Sequence, residues 1–322
     1  MLILIPFLPI QAQQPTLREV DRIRIAEAFR LAEALQEAVW TGWERAPFAV
    51  LLVTPEHEFL IRHPHPSDQF TRAAYDSLLQ SDVYVRPRVF SPGLLATFPA
   101  DSGVPTIVVG TPEQTGRAST RWVITVLHEH FHQLQYAQPG YYPATEALDL
   151  ARHDTTGMWM LNYPFPYDST EVGKLFEALN RAALGALNTV DTPRFTDKLD
   201  TFHQSKKRLR QALSDADYRY LSFQLWQEGV ARYIEYKVAA AAAAQYQPSA
   251  AFLILDDYQP FDEAARAIYD GILRELTDGS LDQNRRVAFY ALGAAEALLL
   301  DRARPDWHTR YFDEKFYLEA YF

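Results

Sequence analysis

Residues Val123–Gln135 read V-I-T-V-L-H-E-H-F-H-Q-L-Q and contain the pattern His128-Glu129-x-x-His132. Apolar side chains at positions 123, 124, 126, 127, 131 and 134 are spread around most of a helix, and a helix that is apolar nearly all round is buried. Burying three histidines and a glutamate in such a helix costs free energy unless a ligand or hydrogen-bond partners satisfy their polar atoms. The stretch therefore predicts a buried helix whose polar residues have a ligand or hydrogen-bond partners.

The spacing gives these polar residues different tasks. Residues four apart share one face of a helix, so His128 and His132 can direct imidazole nitrogens at one metal ion. Glu129 lies about 100° further round the helix, where the carboxylate of zinc hydrolases meets the metal-bound water instead of the metal. His130 points roughly away from the zinc face and is expected in the core or behind a ligand. The alternative is a coincidental match in a buried helix with hydrogen-bonded histidines.

The composition indicates a globular protein that can bury a large core. The 322 residues are 48% hydrophobic, which suits one large domain or two closely packed domains. The net charge of −10 argues against a nucleic-acid partner, and the densest basic cluster, Lys206-Lys207-Arg208, is expected on a solvated helix face. Because the chain has no cysteine, zinc would have to be held by histidine and carboxylate.

The first ten residues, Met1–Ile10, are apolar apart from two prolines. They are too few to span a bilayer as a helix. They resemble the apolar part of a secretory signal, so residues 1–14 are predicted to be a signal peptide and the protein to be exported. An N-terminal apolar strand or a disordered tail is the alternative. No later stretch predicts an integral membrane segment.

The rest of the N-terminal part, residues 15–116, has an α/β texture. Residues 17–40 predict an amphipathic helix. Short β-rich runs at 48–53, 59–62, 83–90 and 104–109 predict a small antiparallel sheet, with one helix inserted at 69–80. Pro105 removes a backbone donor, which suits an edge strand. Such an edge could accept an extended peptide as an added strand, or it could be covered.

The C-terminal part, residues 117–322, is predicted to be mostly helical and to carry the catalytic residues. Helices are predicted near 171–188, 195–213, 217–246, 260–276 and 284–303. The aromatic region 137–169 either walls a cleft or packs over the core. The fold class expected is therefore α+β, a small sheet with helices followed by a helical lobe, with the motif helix at the seam.

Glu228 is the best candidate for a third metal ligand, since catalytic zinc usually takes three protein ligands. Leu221 and Leu225 precede Glu228 on the same helix face, so its side chain should point inward. The neighbouring Gly229 would let two backbones approach closely. The alternative is a surface ion pair between Glu228 and Arg232, four residues further on.

The stretch 225–233, L-W-Q-E-G-V-A-R-Y, downstream of the histidine motif resembles the gluzincin superfamily of zinc metallopeptidases. Its sequence is most similar to the zinc aminopeptidases and thermolysin-like enzymes. The resemblance implies one Zn²⁺ held by His128, His132 and Glu228, with Glu129 as the general base. It also implies a thermolysin-like architecture, in which a sheet edge flanks the cleft and the motif helix and a helical lobe follow.

The resemblance further implies a residue that stabilises the oxyanion, because gluzincins place a Tyr or His some tens of residues after the third ligand. Tyr290 is the first choice, with His308 and Tyr233 in reserve, and a core position is the alternative for Tyr290.

These features predict a secreted zinc-dependent metallohydrolase, most simply a peptidase with a peptide or protein substrate. Two alternatives stay open: a non-catalytic metal-containing binding protein on the same fold, and a hydrolase of a non-peptide amide. Glu129 favours an enzyme, because a purely structural site has no need of a carboxylate there.

Overall fold

The computed structural model describes residues 15–322, which combine a six-stranded sheet with a larger set of helices. This confirms the α+β class predicted from the sequence. The predicted signal peptide, residues 1–14, lies outside the described residues. The thermolysin-like arrangement and the division of the chain at residue 116 stay predictions.

The first helix, α1 (Glu19–Val39), confirms the amphipathic helix predicted at 17–40. Its apolar face, which includes Phe29, is buried in the main core. The first turn carries Glu19 and Asp21, whose negative charges are favourable at a helix N-terminus. The helix ends at Val39, and the backbone of the next residue, Trp40, is extended.

The sheet has six strands in the spatial order β3-β4-β2-β1-β6-β5. Their bounds are β1 Val50–Val53, β2 His57–Ile61, β3 Thr71–Asp76, β4 Ser81–Pro87, β5 Leu95–Asp101 and β6 Val104–Gly110. Strands β1 and β6 run parallel, whereas the other pairs are antiparallel. The prediction of an antiparallel sheet was therefore wrong for this pair. Four strands separate β1 from β6 in the chain, so no local turn signal reveals their relative direction.

The helix predicted at 69–80 is wrong, because this segment contains β3 and a turn. Strand β3 is an edge strand that pairs only with β4 among the described residues, and its side chains are mostly exposed. It therefore lacks the apolar alternation that marks a half-buried strand. Pairing with β4 overrides the local helix preference of Ala73 and Ala74, as tertiary context commonly does.

The prediction that residues 104–109 form an edge strand is also wrong. Strand β6 lies between β1 and β5, and the edge strand on this side of the sheet is β5, which the sequence pattern did not predict. Pairing of β6 with β1 begins at Ile107, so β1 does not need the backbone donor that Pro105 lacks. On the other side Pro105 faces Pro99 of β5. Pro99 interrupts the β-rich pattern of β5, so the sequence did not predict a strand there, although proline is compatible with an edge strand.

Both faces of the sheet are buried, and they belong to different apolar clusters. Val50, Leu52 and Ile107 join the main core. Leu51 and Val53 lie on the opposite face, in a smaller cluster. The alternation follows from the two-residue repeat of a strand. The sheet is thus a firmly packed platform for the helix that follows β6.

The chain after β6 is helical, as predicted. The helices are α2 (Pro112–Thr115), α3 (Ser119–Tyr136), α4 (Tyr141–Glu146), α5 (Trp159–Asn162), α6 (Thr170–Leu187), α7 (Phe195–Ala212), α8 (Asp215–Gln224), α9 (Val230–Gln245), α10 (Ala250–Leu253), α11 (Phe261–Asp278), α12 (Leu281–Asn284) and α13 (Ala288–Ala303). Helix α3 carries the histidine motif and contacts β5 and β6 of the sheet as well as the helices α1 and α9.

Lys206 departs from the prediction of a solvated basic cluster. Its side chain is buried, and its Nζ lies 2.5 Å from Glu296 Oε1 and 2.9 Å from Glu319 Oε2, whereas Lys207 and Arg208 are exposed. The carboxylates that compensate the buried ammonium come from residues about 90 and 113 positions away. A local charge pattern could not reveal this pairing.

Within the described residues, no helix is both long enough and apolar enough to cross a membrane.

Candidate metal centre

Helix α3 directs two imidazoles to one point. His128 and His132 are both buried, and their Nε2 atoms lie 3.1 Å apart. The apolar residues predicted to surround them, such as Val126 and Phe131, are also buried. The prediction of a buried helix with two histidines on one face is confirmed.

Glu228 comes to the same point from a π-helical turn, Leu225–Gly229, between α8 and α9. Such turns occur often at functional sites. A Cβ atom on Gly229 would lie 2.4 Å from the Cα of Gly293 in α13, so the backbones of the two helices touch here. This confirms the close approach predicted for Gly229. Arg232 pairs with Glu235 and Glu275, not with Glu228, so the predicted alternative of a surface ion pair does not hold.

The three side chains have the right separations for a metal ion. Glu228 Oε2 lies 3.5 Å from His132 Nε2 and 3.9 Å from His128 Nε2. Donor atoms about 2.0–2.1 Å from a tetrahedral zinc ion would be about 3.3 Å apart, and the separations of 3.1, 3.5 and 3.9 Å lie around this value. The group can therefore hold a metal ion.

A second polar side chain lies behind each of the two histidines. His128 Nδ1 lies 2.9 Å from Glu235 Oε1, and His132 Nδ1 lies 2.6 Å from Gln135 Oε1. Metal-bound histidines typically have a carboxylate or carbonyl at their outer nitrogen, which fixes the tautomer and the ring orientation. Both Nε2 atoms are thereby left free for a metal ion.

These outer residues are themselves anchored, and the sequence analysis missed them. Glu235 accepts contacts from Arg121 and Arg232. Gln135 donates to the carbonyl oxygen of Gln227 and to the hydroxyl of Tyr311. Their spacing was an available signal, because Gln135 is three residues after His132 and Glu235 is two helical turns after Glu228.

The charges of the ligand residues depend on one another. Burial disfavours the charged imidazole of His132, but the Glu228 carboxylate outweighs burial and raises the pKa of His132 to about 9. Burial likewise opposes ionisation of Glu228, yet His132 and then His128 lower its pKa to about 2. The metal-free group thus holds a carboxylate against an imidazolium. Binding of a metal ion would release this proton.

Glu129 is buried beside the ligands but is not one of the three converging residues. Its Oε2 lies 2.8 Å from the Oγ1 atom of Thr97 on β5, and the same hydroxyl lies 2.9 Å from the Glu129 carbonyl oxygen. The edge strand therefore contacts the carboxylate for which the motif predicts a role with water.

Tyr290 lies at the side of the centre. Its hydroxyl accepts a hydrogen bond from Arg286 Nη1, which also lies 3.6 Å from Glu228 Oε1. Burial and the Glu228 charge raise the pKa of Tyr290 well above its usual value, so the phenol keeps its proton and can donate it. The side chain is partly exposed and not a fully buried core tyrosine.

The reserve candidates lie in a different cluster. The Tyr233 hydroxyl donates to Asp301 Oδ1 at 2.8 Å and lies 3.1 Å from His308 Nε2. Lys237 contacts the same aspartate at 3.0 Å. Tyr233 and His308 are thus paired with each other at Asp301, and Tyr290 is the better placed of the three candidates.

His130 is a core residue, as predicted. Its ring stacks on Phe48, with the centroids 3.9 Å apart, and its Nδ1 lies 2.9 Å from Gln133 Oε1. Burial lowers the pKa of His130 to about 4. This histidine is therefore neutral and supports the helix from the side away from the ligands.

Comparison with protein-family models, with curated proteins and with solved structures gave no significant match. The resemblance to gluzincins therefore stays a prediction from the motifs. The chemistry available to the centre follows from its residue types, distances and burial.

Proposed function

We propose that the protein is a zinc-dependent metallohydrolase and that it acts as a peptidase. The observation that supports this most is the convergence of His128, His132 and Glu228 beside Glu129, a buried carboxylate outside the ligand group. A structural metal site needs ligands only. A carboxylate beside the ligands but outside their set can serve as the general base that activates water.

Zinc is the metal that the donor set favours. Two imidazole nitrogens and one carboxylate oxygen are typical of catalytic zinc, which keeps a further position open for water or substrate. When bound, zinc would lower the pKa of a water molecule and polarise the scissile carbonyl group.

Glu129 acts as the general base and then as the general acid. It takes a proton from the attacking water and passes it to the nitrogen of the leaving amine. The Thr97 hydroxyl, 2.8 Å from Oε2, holds the carboxylate in position for both transfers. Tyr290 and Arg286 supply donors on the Glu228 side, where they can stabilise the negative charge that develops on the carbonyl oxygen.

Strand β5 supports a peptide as the substrate. Among the described residues β5 pairs only with β6, so its outer edge has no strand partner. An extended peptide could add to this edge as a further strand. Because Thr97 of β5 contacts Glu129, a peptide bound there would pass close to the general base. Export of the enzyme is part of the proposal and is supported only by residues 1–10 of the sequence.

The experiment that tests the proposal is Glu129→Gln in the zinc-loaded protein, assayed with a fluorogenic peptide library and a panel of acylated amines. Zinc content should be unchanged, and turnover should fall by about a thousandfold because general acid–base catalysis is lost. Undiminished turnover in the variant would contradict the mechanism. A zinc-loaded wild-type protein that cleaves neither class would favour a binding protein, and cleavage of the acylated amines alone would favour a non-peptide amidase.

A further inference from the structure

A pocket of about 490 Å³ lies between the aromatic loop before α6 and the segment that leads into α13. This volume lies within the usual range for small-ligand sites. Aromatic and apolar side chains form most of its wall: Leu161, Tyr163, Phe165, Tyr167 and Val287. The loop therefore lines a pocket and also packs over the core, to which Tyr163 and Phe165 belong.

Arg286 joins this pocket to the metal centre. The residue lines the pocket, and its Nη1 lies 3.6 Å from the Oε1 atom of Glu228. Its hydrogen bond to Tyr290 uses Nη1, which is also its nearest atom to Glu228. Neither Nε nor Nη2 has a hydrogen bond to another residue of 15–322, and this edge of a guanidinium can bind a carboxylate through two parallel hydrogen bonds.

Arg285 provides a second positive charge in the same wall. Its backbone has a φ of 51°, a conformation that is uncommon for a residue with a side chain and that occurs often at binding sites. Arg285 Nη1 contacts Asp168 at 3.1 Å, but the two side chains are 55% and 76% exposed. Such an exposed pair is weak, so an incoming carboxylate can displace it.

We infer that this pocket binds a carboxylate of the substrate next to the amide that is cleaved. The carboxylate is either the C-terminus of a peptide or an acidic side chain, and the apolar wall holds the neighbouring side chain. The chain has a net charge of −10, so a preference for an anionic substrate must come from a local site such as Arg285 and Arg286. The inference rests on the proposed function, since it assigns the substrate class of the same centre.

The test measures by calorimetry the binding of four N-terminally blocked peptides to zinc-loaded Glu129→Gln protein, which holds substrate without turnover. One pair differs only in a free C-terminal carboxylate against an amide. The other pair, both amidated, differs only in Glu against Gln. One carboxylate peptide should bind about thirtyfold more tightly than its neutral partner, the usual contribution of hydrogen bonds to a charged group. The pair that shows the difference identifies the source of the carboxylate.

Arg286→Gln and Arg285→Gln, each added to this protein, should remove most of the preference. The neutral peptides should bind to Arg285→Gln as before. Arg274→Gln, on the exposed face of α11, is the matched control and should keep the preference. Because Arg286 lies beside Glu228, zinc content is measured in each variant. If Arg286→Gln has lost zinc, Arg285→Gln is the deciding variant. Equal binding within both pairs, or a preference that survives in the deciding variant, would overturn the inference.

Binding and turnover separate this inference from the proposed function. A carboxylate preference in binding, with no cleavage by the wild-type protein, would refute the peptidase and leave the pocket assignment in place. Cleavage without any carboxylate preference would refute the pocket assignment and leave the peptidase in place.

Discussion

Glu235→Gln should weaken metal binding without touching a ligand atom. Glu235 Oε1 lies 2.9 Å from His128 Nδ1, and the carboxylate is buried. Against the effect of burial, Arg232 and His128 lower the pKa of Glu235 well below its usual value, so the group is ionised at neutral pH. The amide removes this charge from behind the imidazole. Loss of such an orienting group typically weakens metal affinity by about 10- to 100-fold, or about 1.4–2.7 kcal/mol.

The assay is competition for zinc against a chromophoric chelator, with the melting temperature of the metal-free protein measured in parallel. Glu275→Gln is the matched control, because Glu275 contacts Arg232 at 3.0 Å but does not contact His128. The control should bind zinc as the wild-type protein does. An affinity for Glu235→Gln within twofold of wild type would refute the reasoning, as would an equal loss in Glu275→Gln.

Two further predictions concern the packing around the centre and the anchoring of α1. Gly229→Ala should destabilise the protein by about 3 kcal/mol, because the added Cβ would lie 2.4 Å from the Gly293 Cα. The control Gly173→Ala, where the added Cβ has no heavy atom within 4 Å, should stabilise the protein by up to about 1 kcal/mol. Thermal unfolding measures both variants, and equal effects would contradict the packing argument. Although burial opposes its ionisation, Arg24 of α1 and Arg18, the residue before α1, lower the pKa of Glu113 to about 2 from 4.5. Its charge therefore stabilises the fold above pH 4.5, and this contribution is lost as the pH falls towards 2. Glu113→Gln should lower the melting temperature at pH 7, and the difference from wild type should shrink at acid pH; a difference that does not change with pH would exclude this charge as its cause.

The metal helix and its ligands could be predicted because their signals are local. The spacing of His128 and His132 and the apolar residues around them lie within one helix, and the helical repeat alone brings the two imidazoles together. Glu228 is predicted in the same way, from the apolar residues before it and from Gly229. The contact of Gly229 with Gly293 shows why a glycine is needed there.

The sheet and the outer residues of the centre were harder to predict, because their positions depend on distant parts of the chain. Strand β3 has few buried side chains and exists through pairing with β4. Pro105 favours an edge position, but β6 is an inner strand whose pairing with β1 begins only at Ile107. The contact of Thr97 with Glu129 depends on the position of β5 in the sheet. The contact of Glu235 with His128 depends on the packing of α9 against α3.

The most direct test of the central claim is the metal content, by mass spectrometry, of the purified protein and of Glu228→Ala, both dialysed without chelator. We expect about one zinc ion per chain in the native protein and a marked loss in the variant, because three protein ligands hold the ion. Zinc that is unchanged in the variant would show that Glu228 is not the third ligand. No zinc in either protein, even after zinc is added, would contradict the metal centre itself.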